Sequence, residues 1–96
     1  MAKTWYLYLI ECNDGSLYTG IAVDVARRYV MHASGKGARY TRSHPPKRLA
    51  AIIEYADRAA ASRAEHLVKQ LNTAGKRELC RLHPAKDGLN LNTDLT

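Results

Sequence analysis

The stretch Trp5-Tyr6-Leu7-Tyr8-Leu9-Ile10-Glu11-Cys12-Asn13-Asp14-Gly15-Ser16-Leu17-Tyr18-Thr19-Gly20-Ile21 decides how the rest of the chain is read. Its first part is apolar at both odd and even positions, which predicts a central strand covered on two sides. Asn13-Asp14-Gly15 is a hairpin turn signal, and a second short strand follows it. Turn length fixes everything downstream. A two-residue turn at Asp14-Gly15 sets Tyr8 opposite Ile21 and sends Tyr8 and Tyr18 to opposite faces. A three-residue loop with glycine third sets Tyr8 opposite Gly20 and Tyr18 opposite Ile10, so the tyrosines become diagonal neighbours about 5.5–8 Å apart. The three-residue loop is favoured, because it puts glycine at the left-handed position. It also predicts open space beside Tyr8, since Gly20 has no side chain.

The 96 residues allow one domain with one sheet and a few helices, expected to span 1–96 with a core over about 4–82 and a C-terminal tail over 83–96 that is loose or lightly docked from Leu89 to Thr96. The hydrophobic share of 46% argues against disorder. No apolar run approaches the roughly 20 residues of a membrane span. The N-terminus lacks the layout of a signal peptide, so a cytoplasmic location is expected. Cys12 and Cys80 show no metal-binding spacing and read as buried or idle thiols.

The net charge is +6, and its distribution is more telling. No acidic residue lies between Asp24 and Glu54, while Arg27, Arg28, Lys36, Arg39, Arg42, Lys47 and Arg48 all do. Tyr29 and Tyr40 are interleaved with them. A solvated face is the bland account; cations with no acid among them, mixed with aromatics, point to nucleic acid. No long amphipathic helix suggests a membrane surface.

Asp24 reads as the cap of a helix over Val25–Ala33, with Val25, Arg28, Tyr29 and His32 on one stripe turned toward the sheet. A cationic loop, a helical turn over Ala38–Ser43 and the extended His44-Pro45-Pro46 follow. Leu49–Tyr55 is a third strand. Asp57 caps a helix from Arg58 to about Leu71 whose core stripe is Ala60, Ala64, Leu67, Val68 and Leu71, with Glu65 at its edge. A break over Asn72–Gly75 precedes a shorter helix through Leu82. The predicted fold class is α/β in the α+β sense, a small three-stranded antiparallel sheet flanked by helices.

This order of elements, with Tyr6-Leu7-Tyr8, Tyr18-Thr19-Gly20, Arg28 and a later helix glutamate Glu65, resembles the GIY-YIG nuclease superfamily, in particular its small stand-alone bacterial members. Tyr6 stands where the name-giving glycine would be, and Thr19 replaces isoleucine. The late asparagine of some members has only a loose candidate in Asn72. The resemblance implies a metal-dependent endonuclease with Tyr8, Tyr18, Arg28, His32 and Glu65 as catalytic residues. Glu65 would hold Mg²⁺ or Mn²⁺, and Arg28 would neutralise a phosphate oxygen. Tyr8 is expected to be the general base, its phenol made acidic by nearby positive charge and accessible beside Gly20, with Tyr18 as the reverse assignment. His32 would bind phosphate or assist proton transfer. Arg27, Lys36, Arg39, Tyr40 and Arg42 are expected to contact the nucleic acid, DNA first and RNA second. Branched or damaged DNA in repair or recombination is the expected setting. A partner-dependent binding module without catalysis is the rival, and oligomeric state is open.

Overall fold

The computed structural model describes residues 3–85. The hairpin is β1 (Trp5–Cys12) and β2 (Leu17–Ala22), paired antiparallel with Tyr8 opposite Gly20 and Ile10 opposite Tyr18. This is the register of the three-residue loop. The Gly15 amide donates to the Cys12 carbonyl at 2.9 Å, and Gly15 takes φ +87°, a conformation in which a Cβ would be strained.

The chain continues as α1 (Val25–Ala33), α2 (Arg39–Ser43), β3 (Pro46–Tyr55), α3 (Arg58–Lys69) and α4 (Thr73–Leu82). The sheet order is β2-β1-β3, so the apolar strand is central, as its two-faced pattern requires. The expected fold class is borne out. Alternation along β1 feeds two cores. Leu7 and Leu9 pack with Ala51, Val68, Leu79 and Cys80 on the α3–α4 side. Tyr8, Ile10 and Cys12 pack with Val25, Tyr29 and Leu49 on the α1 side. Both cysteines are free, and Cys12 is buried.

Asp24 and Asp57 cap their helices through side-chain oxygens that accept the amides of Arg27 and Ala60. Several boundaries differ from those expected. β3 begins at Pro46 and not Leu49, since proline at the first position of an edge strand loses no ladder bond. α3 ends at Lys69, where the Gln70 amide turns back to the Leu67 carbonyl. Its core stripe is Ala61, Ala64 and Val68; Leu67 and Leu71 face outward, at 63% and 41% exposure. Asn72 caps α4 by accepting the Gly75 amide, so Gly75 lies within the first turn. The start of the expected tail is docked: Pro84 bridges to Ala51, and the Ile52 amide donates to the His83 carbonyl. Residues 86–96 of that tail lie outside the described residues. No helix among the described residues is long and apolar enough to cross a membrane.

Candidate active site

The shared face of the hairpin brings the two tyrosine rings to a centroid distance of 6.3 Å. The missing side chain of Gly20 is used differently from the expectation. A Cβ there would lie 2.5 Å from the Tyr8 oxygen and 2.6 Å from the ring carbon that bears it. The far end of the Tyr8 ring therefore lies across β2 and fills the space. Tyr8 is only 1% exposed, and Tyr18 is the more open of the pair. This corrects the reading of Tyr8 as accessible.

Capped by Asp24, α1 aims His32 at the same spot. His32 Nε2 lies 2.9 Å from the Tyr8 hydroxyl, and Nδ1 lies 2.7 Å from Thr41 Oγ1 on α2. The Thr41 hydroxyl donates its one proton to the Ala38 carbonyl at 3.0 Å. With its proton placed there, it accepts from Nδ1–H, the tautomer that leaves Nε2 bare to accept from Tyr8 O–H. The Ala38 amide also points at Nδ1, at 3.4 Å, a longer and weaker contact than the 2.7 Å one to Thr41. All three side chains are buried. Gly37 closes the line: a Cβ there would sit 2.8 Å from the His32 Cα and collide with Nδ1.

Burial dominates the electrostatics. It pushes the Tyr8 phenol up to about 12, and the neighbouring Tyr18 adds to the rise. Arg28 pulls the other way and loses. Burial thus opposes the expected acidic phenol; the desolvation of an anion outweighs one guanidinium. Burial likewise lowers His32 to about 4, with Arg28 contributing, so the imidazole is neutral at neutral pH.

Arg28, half-buried on the inner stripe of α1, borders the site and sets Nη1 3.7 Å from the Met31 sulfur. Glu65 comes from the opposite layer, on the edge of α3, and its charge also raises the Tyr8 phenol, as the smallest contribution. Its side chain is 22% exposed and pairs with Lys69 at 3.2 Å. No three His, Cys, Asp or Glu side chains cluster into a cation cage among the described residues. A cation at Glu65 would complete its shell with water and phosphate, which suits Mg²⁺.

Arg27, Lys36, Arg39 and Arg42 are all exposed along α1, the loop and α2. Tyr40 is joined to the site directly. It stacks on Tyr18 at 5.9 Å and on His44 at 4.2 Å. His44 in turn meets Asp14 of the hairpin loop at 2.6 Å. Thr41 and Gly37 escaped the sequence reading. Their partner lies several residues back across a glycine loop, and only the Gly-x-x-x-Thr spacing after a buried histidine could have hinted at it.

A model of the GIY-YIG catalytic domain matches residues 4–78. The chain is 47% identical over 85 residues to a UPF0213 protein of Cupriavidus necator, covering 88% of this chain and 92% of that one. It is 53% identical over 74 residues to a UPF0213 protein of Xanthomonas campestris pv. campestris, covering 77% and 72%. The solution NMR structure of a UPF0213 protein from Bacillus halodurans matches with a TM-score of 0.55 at 43% identity, covering 90% and 92%. The hairpin tyrosines, the inward arginine and the helix glutamate thus sit in a chain that belongs to the GIY-YIG catalytic-domain family, beside its small UPF0213 members.

Proposed function

We propose that the chain is a divalent-metal-dependent endonuclease that hydrolyses DNA phosphodiester bonds. The observation that carries this reading is the buried line Tyr8–His32–Thr41, with Arg28 and Glu65 near enough to Tyr8 to act on its phenol in opposite senses. A phenol at about 12 is a poor phenolate source, so Tyr8 works as a relay. The free chain keeps the Tyr8 oxygen from solvent, so the relay needs the bound strand to admit a water there; that water gives its proton to the Tyr8 oxygen as the Tyr8 proton passes to His32 Nε2. Thr41 holds Nδ1–H and so keeps Nε2 free to receive it. The imidazolium formed is acidic, about 4, and returns the proton through the Tyr8 oxygen, the partner of Nε2, toward the departing oxygen or solvent. Arg28 neutralises a non-bridging phosphate oxygen. Tyr18 orients the water or the relay. Glu65 would hold Mg²⁺ or Mn²⁺, which supplies Lewis acidity at the phosphate when bound.

The exposed Arg27, Lys36, Arg39 and Arg42, with Tyr40, would contact the strand. Such contacts to phosphate carry no base information, so low sequence specificity is expected. Branched or damaged DNA of the kind met in repair and recombination is the substrate class to try first, with RNA as a second panel. The free thiols Cys12 and Cys80 fit a reducing cytoplasm.

The test is nicking of labelled duplex, single-stranded and branched substrates with Mg²⁺, Mn²⁺ or EDTA, repeated with Arg28→Ala and Glu65→Ala. Metal-dependent cleavage lost in both variants supports the reading. The Lys69–Glu65 pair favours the rival, a binding module without catalysis, because it occupies the carboxylate. Salt-sensitive DNA binding with no cleavage of any substrate would leave that rival standing.

A further inference from the structure

We propose that the free edge of β2 is a nucleotide subsite: Tyr18 and Tyr40 receive a base of single-stranded nucleic acid, and Lys69 and Lys76 receive its phosphate. It rests on the nuclease reading and extends the bound strand past Tyr18, away from Arg28.

The geometry begins with the ladder. The Cys12 amide donates to the Ser16 carbonyl at 2.9 Å and the Cys12 carbonyl accepts from Gly15, so Cys12 turns its backbone toward the β2 side. Antiparallel pairs alternate, so Ile10–Tyr18 and Tyr8–Gly20 are the bonded pairs. Leu17, Thr19 and Ile21 then turn their amides and carbonyls outward, along an edge that no strand among the described residues covers. Lys76 Nζ confirms the direction by lying 3.4 Å from the Leu17 carbonyl. Next along that edge comes the Thr19 amide, an outward N–H donor.

A cavity lies along this edge, lined by Leu17, Tyr18, Thr19, Tyr40, Lys69 and Lys76. It joins elements from both layers of the fold. Tyr40 lies on the α1–α2 side, stacked on Tyr18. Lys69 closes α3 and Lys76 comes from α4. Two ammonium groups, Lys69 shared with Glu65 and Lys76 resting on the Leu17 carbonyl, suit a phosphate together with the outward amide, and two aromatic rings beside them suit a base. The Thr19 hydroxyl is buried without a partner among the described residues, where isoleucine would leave nothing unpaired, so this position is polar against its apolar surroundings.

The test is binding without metal. The ¹⁵N-labelled chain is titrated with a 5′-phosphorylated four-nucleotide oligothymidylate and followed by amide shifts. Its affinity is measured against salt for wild type, Lys76→Gln and Tyr40→Ala. Arg81→Gln, which removes an exposed cation paired with Glu78, is the charge control. The expected result is saturable shifts at Thr19 and Tyr18. Lys76→Gln lowers the slope of log affinity against log salt by about 0.7, as one lost phosphate contact does for a single strand; Arg81→Gln does not. Shifts confined to α1 and α2 would overturn the subsite, and metal-dependent nicking would show the nuclease reading intact. Unchanged affinity in Lys76→Gln, with new self-association, would reassign Lys76 as an edge guard. No binding and no nicking would overturn both.

Discussion

The Tyr8 hydroxyl lies 2.9 Å from Nε2 of His32, in a place where neither side chain meets solvent. A buried phenol and a buried imidazole each satisfy the other. Removing one therefore has two separable effects. Tyr8→Phe keeps the ring over Gly20 but deletes the relay oxygen. Nicking should fall about 10²–10⁴-fold, the usual range for a positioned proton-transfer group. Stability should drop by about 1–3 kcal/mol, because the buried Nε2 of His32 is left without its partner. Single-turnover nicking and urea unfolding of the same preparation check both. A Tyr8→Phe variant with wild-type nicking would remove Tyr8 from the chemistry.

Thr41→Val extends the argument from the relay to its anchor. The swap keeps the shape but leaves Nδ1–H unpaired, which costs about 1–3 kcal/mol. The imidazole then has a reason to turn its proton onto Nε2, the atom that must accept from Tyr8. Nicking should fall while affinity for DNA stays unchanged. Nitrogen chemical shifts of the ring read the tautomer directly. Loss of activity with an unaltered tautomer would mean that Thr41 acts only through packing.

The two loop glycines separate space from backbone conformation. Gly37→Ala pushes a methyl into His32, and overpacking of this kind costs about 1–3 kcal/mol. It should also displace the imidazole and lower nicking. Gly35 has φ +82°, and no atom of the described residues lies within 4 Å of where a Cβ would stand. Gly35→Ala should cost about 1–2 kcal/mol from backbone strain alone and leave the site untouched. Urea midpoints together with nicking rates distinguish the two. Equal loss of activity in both variants would contradict this division.

How much of this was legible in the chain depends on the range of the interaction. The hairpin register could be read because Gly15 alone meets the left-handed demand of the third loop position. The α1 stripe could be read because Asp24 caps it and its spacing is helical. The burial of Tyr8 could not. Gly20 signals missing bulk, and a sequence does not say whether solvent or a neighbouring ring takes the space. Reading that space as open hid the burial that raises the Tyr8 phenol against the pull of Arg28. On α3, Leu67 and Leu71 looked like core by apolarity alone. The helix is rotated so that small residues, Ala61 and Ala64, meet the sheet closely. Lys76 was illegible for another reason: it reaches the edge of β2 from α4, a long-range contact of a flexible side chain.

His32 also makes stability depend on pH. Its folded value, about 4, lies below the ordinary histidine value near ~6.5. Between these limits the unfolded chain binds the extra proton, so stability rises with pH. It is fully present above about 6.5 and is lost as pH falls toward 4, by up to about 1.4 kcal/mol per unit. His32→Gln should lack this slope. Carboxylates with lowered values, such as Glu11 beside Arg48, add their own loss at more acidic pH. The wild-type minus His32→Gln difference in unfolding free energy, measured from pH 7 to 4.5, isolates the imidazole. A flat difference would place His32 outside the buried neutral state.

Lys69 tests the metal reading from the other side. Its ammonium lies 3.2 Å from Glu65 Oε2, one helical turn away, and competes with any cation for that carboxylate. As a half-exposed helix pair it contributes only about 0.3–0.5 kcal/mol to stability, so removing it is mild for the fold. Lys69→Met should therefore lower the Mg²⁺ or Mn²⁺ concentration needed for half-maximal nicking, because Glu65 no longer has to release a competitor. If Lys69 also contacts phosphate, the same variant needs more DNA for saturation. The two effects separate when metal is titrated at saturating DNA and DNA at saturating metal. Glu65→Gln should abolish the metal response at every concentration. Half-maximal metal unchanged in Lys69→Met, with Glu65→Gln fully active, would move the cation away from α3 altogether.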